Sequence, residues 1–169
     1  MTSHRLHRTT VIPADLGVVF EFFRNPHNLE AITPPWLGFR ILFTSDDTVR
    51  PGTRIRYRLR IAGIPTSWES RITEYENGLH FADEQIIGPY KRWYHRHTFR
   101  TVPAGVEMTD TVDYVLPFGP LGRLAHWLIV RHQLRAIFDH RTTSIIARFG
   151  ATAPAVEHLH GLVDRKSVV

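Results

Sequence analysis

Residues 92–114 read RWYHRHTFRTVPAGVEMTDTVDY, two alternating runs around a proline- and glycine-containing turn. With Val102 to Gly105 as the loop, Trp93, His95, His97 and Phe99 fall opposite Tyr114, Val112, Asp110 and Met108, and Arg100 meets Glu107 on the other side. A one-residue slip would turn Met108, Val112 and Tyr114 outward, at roughly 1.5 to 3 kcal/mol for each large side chain exposed. The hairpin therefore has an inner face rich in aromatics and an outer face of paired charges.

The same test extends to the neighbouring strands. With Asn77-Gly78 as a two-residue turn, Trp68, Ser70, Ile72 and Glu74 face Ile87, Gln85, Asp83 and Phe81, and Arg71 lies beside Glu84. With Ala62 to Pro65 as the loop, Ile55, Tyr57 and Leu59 meet Ile72, Ser70 and Trp68, and Arg58 meets Glu69. A Gly88-Pro89-Tyr90 loop puts Asp83 across from His95. The period of two runs from Phe39 to Leu116 and predicts six strands; a seventh alternation runs from Leu6 to Ile12. Between them, Leu16, Val19, Phe20 and Phe23 share one helical face, and Asn25-Pro26 reads as a cap and first-turn proline for a second short helix that Pro34-Pro35 stops. From Leu121 to Phe149 the pattern turns helical, with Leu121, Leu124, Leu128, Phe138 and Ile145 as the packing face of one long C-terminal helix.

A chain of 169 residues, 43% hydrophobic and 22% charged, fits one globular domain, placed at residues 1–149, with a loosely held tail at 150–169. No run approaches the ~18 apolar residues of a membrane span, and the charged start MTSHRLHRTT is unlike a signal peptide, so a cytoplasmic protein is expected. The absence of cysteine excludes disulfides, zinc-thiolate sites, iron-sulfur clusters and thiol nucleophiles. A net charge of +5 raises nucleic acid or an anionic membrane as partners, yet 19 of the 21 cationic residues are arginines, a bias that coding preference also produces. Arg54, Arg56, Arg58 and Arg60 alternate outward with no exposed aromatics between them, so no specific nucleic-acid partner is expected.

The inner face is too polar for a dry core: Tyr57, Trp68, Ser70, Asp83, Gln85, Trp93, His95, His97, Asp110 and Tyr114 all point into it. Buried polar groups persist where they pair with one another, with water or with a ligand. The registers offer Asp83 to His95 and Asp110 to His97, as a network that fixes the sheet or as the polar part of a ligand cavity. Strand alternation aims His95 and His97 to one side, but the carboxylate that a metal-binding His-x-His strand needs shortly after is missing from Thr98 to Thr101, so no metal and no cofactor is expected. Ser70 lacks the strained turn of a catalytic serine.

The segment Phe81 to Phe99, FADEQIIGPYKRWYHRHTF, resembles the START-like (SRPBCC) superfamily in its ligand-binding, polyketide cyclase/dehydrase-like branch; Leu29 to Pro34, Met108 to Asp110, Pro117 to Gly119 and Phe138 to Arg141 match further landmarks. The resemblance implies an α+β helix-grip fold: a seven-stranded curved antiparallel sheet, two short helices and one long C-terminal helix enclosing a cavity. It implies as ligand a hydrophobic, lipid- or polyketide-like small molecule. Three functions stay open: binding or carriage of that molecule, a cyclase or dehydratase using His97 with Asp110 and His95 with Asp83, Arg141 or Tyr57 polarising the carbonyl, or an accessory protein with a basic partner-binding surface.

Overall fold

Inward and outward residues alternate without a break along one strand, Gly105–Val115, because its even-numbered side chains, Val106 to Tyr114, all turn toward the core. That strand is β7 of a computed structural model that describes residues 2–150 and the backbone of 163–165. β1 (Ser3–Ile12) leads into α1 (Leu16–Arg24) and two 3-10 turns (Pro26–Ile32 and Pro35–Leu37). Then come β2 (Arg40–Thr44), β3 (Arg54–Ile61), β4 (Ile64–Glu76), β5 (His80–Ile87), β6 (Arg92–Val102) and β7. α2 (Gly119–Ala125), a π turn (His126–Val130) and α3 (Arg131–Phe149) follow, and β8 (Val163–Arg165) closes the series. The strands form one antiparallel sheet ordered β2-β3-β4-β5-β6-β7-β1-β8, which is the expected seven-stranded helix-grip sheet with a short eighth strand added at its edge. That strand comes from the segment expected to be a loose tail; the rest of 151–169 lies outside the described residues.

The β6–β7 register is the one read from the sequence, with His97 opposite Asp110 and Arg100 opposite Glu107. Asp83 likewise stands opposite His95. In β4–β5 Glu76 pairs with His80 across a three-residue turn, so Phe81 faces Tyr75 and not the expected Glu74; a bulge at Thr73 then restores Ile72 to Asp83 and Ser70 to Gln85. A second irregularity puts Glu69, not Trp68, opposite Ile87. β3–β4 differs by two residues, with Tyr57 opposite Trp68 and Ile55 opposite Ser70. The cause is a tight turn in which Ala62 and Gly63 both take positive φ (48° and 81°), so that Ile64 and Pro65 belong to the strand. Glu69 consequently binds Arg54 and Arg56 rather than Arg58.

Asn25 caps the first 3-10 turn as its sequence suggests, its side-chain oxygen accepting the His27 N–H at 3.0 Å. The long helix departs from expectation. Leu134, Phe138, Arg141 and Ile145 form its buried stripe, whereas Leu121, Leu124 and Leu128 are exposed. The π turn adds a residue to one helical turn and rotates the preceding segment off the sheet. Gly122 is pressed so close to the Pro117 carbonyl that a Cβ would come within 2.1 Å of it, which holds that segment at its own angle. α3 is tied to β1 by an Arg8–Asp139 ion pair and by Thr10 and Thr142 hydroxyls 3.3 Å apart.

Candidate functional site

A cavity of about 130 Å³ lies between the sheet and α3. Tyr57, Leu59 and Ile61 of β3, Trp68 of β4, and Trp93 and His95 of β6 form one wall; Gln133, Leu134, Ile137, Phe138 and Arg141 of α3 form the other. Leu37, Phe39 and Tyr90 close the rim. The aromatics hold one another: Trp68 stacks on Tyr57 with centroids 5.9 Å apart and meets Trp93 edge-on at 5.2 Å. Bulky flat rings braced in this way cannot collapse into the gap they surround.

Of the ten residues anticipated, Tyr57, Trp68, Trp93 and His95 line the cavity and six do not. Gln85 folds back on its own loop, donating to the Tyr90 carbonyl at 2.7 Å and accepting the Tyr90 N–H at 3.2 Å. Tyr114 is fully buried, its hydroxyl 2.9 Å from His126 Nε2. Ser70, Asp83, His97 and Asp110 stand behind the lining as a polar chain. Trp68 Nε1 donates to Ser70 Oγ at 3.1 Å, and Ser70 donates to Asp83 Oδ2 at 3.1 Å. Asp83 Oδ1 lies 3.8 Å from His95 Nδ1, and His95 Nε2 is 3.0 Å from Asp110 Oδ1.

Two separate His–Asp pairs were expected, and the structure corrects this. His95 and His97 are neighbours on one strand face, their rings 4.0 Å apart, and both converge on Asp110 Oδ1, His97 Nδ1 at 2.6 Å. That His97 contact is off the hydrogen-bonding axis, so Nδ1 has no hydrogen-bond partner. Asp110 Oδ2 looks toward Arg141 Nε at 3.8 Å. Arg141 is buried, its guanidinium packed over the Phe23 and Phe138 rings, and its Nε also lacks a hydrogen-bond partner.

The electrostatics follow from this arrangement. Burial alone would raise the Asp110 carboxyl, but the Arg141 cation and the hydrogen bond to His95 hold it well below its ordinary value, so it is a carboxylate. Burial pushes His97 down to about 3, with His95 adding to the effect, so the ring is neutral. Asp83 is raised by burial against the opposing pull of His95 and Ser70. Burial and the Asp83 charge raise Tyr57, which stays a phenol.

Asp83, His95 and His97 are also the one described group with metal-ligand character, their ligand atoms within 4.8 Å of one another. Tetrahedral zinc with bonds of about 2.1 Å holds its ligands about 3.4 Å apart, so the set would have to contract. His97 and His95 already point nitrogens at Asp110, and Arg141 places a cation alongside.

Sequence reading missed much of the α3 wall. Gln133, Leu134, Ile137, Phe138 and Arg141 share one face at spacings of one, three or four, a signal visible once the face toward the sheet is known.

Residues 12–150 match the family described as polyketide cyclase / dehydrase and lipid transport. Among solved structures, the chain is similar to the Zhui aromatase/cyclase of Streptomyces sp. R1128, at 18% identity and a TM-score of 0.63 over 86% of this chain and 93% of that one. It is similar as well to the major latex-like protein 151 of Panax ginseng, at 17% identity and a TM-score of 0.63 over 89% and 99%. A protein of Thermus thermophilus matches at 18% identity and a TM-score of 0.60 over 88% and 99%. No curated protein sequence matches the chain. With the helix-grip sheet in common and most of the chain matched, the protein belongs to the polyketide cyclase / dehydrase and lipid transport family.

Proposed function

We propose that the protein binds a small hydrophobic, ring-containing molecule in the cavity beneath α3, with an acceptor oxygen of that molecule turned to Arg141. The observation that carries this is Arg141 itself: a buried cation on an otherwise largely apolar wall, paired with Asp110 at 3.8 Å but donating no hydrogen bond from its guanidinium among the described residues. A buried donor without a partner costs roughly 1 to 3 kcal/mol, which a carbonyl, carboxylate or phenolic oxygen would recover. The size supports a ligand of about one ring, since an apolar cavity of about 150 Å³ holds benzene. A larger lipid or polyketide would require α3 to move from β3, because pockets for drug-sized molecules run to about 300 Å³ and beyond.

Acetophenone and ethylbenzene have nearly the same shape and differ in the acceptor, so they test the reading directly. Quenching of Trp68 and Trp93 fluorescence should show acetophenone binding about tenfold tighter, equivalent to ~1.4 kcal/mol. Arg141→Met should erase that preference while ethylbenzene affinity changes little. Equal binding of the two by the unaltered protein, or binding of neither, would refute it.

Cyclase or dehydratase activity is the second reading, favoured by His95: it reaches the cavity wall and is backed by Asp110 at 3.0 Å, as a general base at a carbonyl α-carbon would be. Loss of turnover of a poly-β-ketone substrate in His95→Gln, with binding retained, would favour it over binding alone.

A further inference from the structure

The helical segment ahead of α3 presents apolar side chains to solvent. Phe118 is 80% exposed, Leu121 72% and Trp127 58%, and Leu124, Leu128 and Ile129 are exposed with them. Three consecutive residues, Trp127 to Ile129, face outward because they lie within the π turn. Single exposed leucines need no explanation, but six large apolar groups within twelve residues form a ridge.

The charge along the segment that carries this ridge has one sign. Between Asp113 and Asp139 the chain has no Asp or Glu, but it has Arg123, Arg131 and Arg135. These three arginines and Trp127 line a cleft of about 190 Å³, together with His4 and His126. Arg131 lies over the Trp127 ring at 5.4 Å. An adjoining cleft of about 810 Å³ carries Lys91 on the Gly88–Lys91 loop and Phe118 on its opposite wall. Asp164, in the β1–β8 register, stands opposite His4 at the sheet edge.

We propose that this face docks on an anionic phospholipid bilayer, with Phe118, Leu121, Leu124 and Leu128 in the headgroup–acyl boundary and a lipid phosphate held by Arg123, Arg131 and Arg135. A helix that combines a broad apolar face, tryptophan and arginines is suited to lying in the plane of the interface. The long arginine stems extend to phosphates while their carbons stay against the apolar side chains. A second copy of the chain is a poor occupant, because pairing two such faces brings arginine against arginine. An acidic protein would need a groove shaped to six large side chains, whereas a bilayer accepts such a ridge in any register. None of the six ridge residues or the three arginines lines the space under α3, although Tyr90 borders both that cavity and the adjoining cleft.

The test is co-flotation of the full chain with vesicles of phosphatidylcholine alone or with about a third phosphatidylglycerol. Binding to the anionic vesicles, weakened when salt rises from about 0.1 to about 0.5 M, is expected. The charge reversal Arg123→Glu with Arg135→Glu should lower it at least about tenfold, and so should Leu121→Glu with Leu128→Glu. All four positions are exposed, so the variants should keep the melting temperature, which is measured alongside. Inorganic phosphate at millimolar concentration should not release the protein from the vesicles. Release by phosphate, with Leu121→Glu and Leu128→Glu without effect, would mean a soluble-anion site and overturn the docking. Equal binding to neutral and anionic vesicles, or absence of binding while the ridge captures an acidic protein, would overturn it as well.

Discussion

Two regions beneath the same helix are built differently. At the end where α1 packs, Phe20 meets Phe99 edge-on at 5.2 Å and Phe81 at 6.2 Å, and Val19, Phe23, Ile12, Val106, Met108 and Ile145 fill the rest. At the other end a smaller cluster of Leu6, Val112, Tyr114, Leu134 and Phe138 is bordered by Tyr90, Trp93 and Ile137, and here a cavity remains. The chain His95–His97–Asp110–Arg141 divides them. Aliphatics and edge-on phenylalanines close space; Trp68 and Tyr57, whose polar tips both meet Ser70, stand beside the space left open. One end is closed by packing, and the other keeps the space that the proposed ligand would fill.

The contrast should be largest in stability. Phe20→Ala at the packed end is expected to cost about 3 to 5 kcal/mol in denaturant unfolding. A loss under about 1 kcal/mol would show that the phenylalanine cluster does not anchor the fold. At the boundary, Asp110→Ala strands a buried guanidinium with two imidazoles and should cost about 3 kcal/mol, a little less than the core truncation. If the variant melted like the parent, the polar chain would be dispensable for folding.

The same boundary should give the protein a pH signature. His97 is lowered in the folded state to about 3 from an unfolded value near 6.5, so below about 6.5 the unfolded chain takes up a proton that the folded one refuses. Stability should fall as pH drops through that window, by about 1.4 kcal/mol per pH unit at most. Asp110, held low, adds a loss beginning near pH 4, as its unfolded carboxyl protonates first. Asp83, held high, works the other way, since its contribution fades as pH rises through its folded value. His97→Gln should flatten the slope between about pH 6.5 and 4.5; an unchanged slope would assign it to other groups. The smallest effects belong to the cavity wall. Ile137→Ala should change stability by about 1 kcal/mol or less, because the side chain already faces a void, while altering ethylbenzene affinity more than Phe20→Ala does in the fraction that stays folded. A cost matching that of Phe20→Ala would mean that the void is closed in solution.

Much of this was legible in the chain. The β6–β7 register followed from charges outside and apolar groups inside, and His97 does stand opposite Asp110. The β3–β4 register lies two residues from the one the pattern suggests because Ala62 takes a positive φ that alanine ordinarily avoids, so the turn is tighter than its residues imply. The segment ahead of α3 was less legible for a similar reason. Nothing in Leu121, Leu124 and Leu128 distinguishes a stripe that packs from one that stays exposed until the π turn is known to rotate it away.

By itself the sequence determined which side of the sheet most strand residues face, since alternation is a local property of the extended backbone and a slip would expose every apolar group at once; the exception is where the β4 bulge turns Glu74 outward. It also determined the two kinds of surface: paired charges outside, aromatics and a few polar groups inside. Only the tertiary structure decided which inward residues reach the cavity and which stand behind it. That depends on where bulges bend β4, how tightly β3 turns and where α3 crosses, all contacts between residues far apart in the chain. The sharing of Asp110 by both histidines has the same origin: pairing across strands sets which residues are opposite, but the position of Arg141 on a helix about thirty residues later fixes where that carboxylate must point.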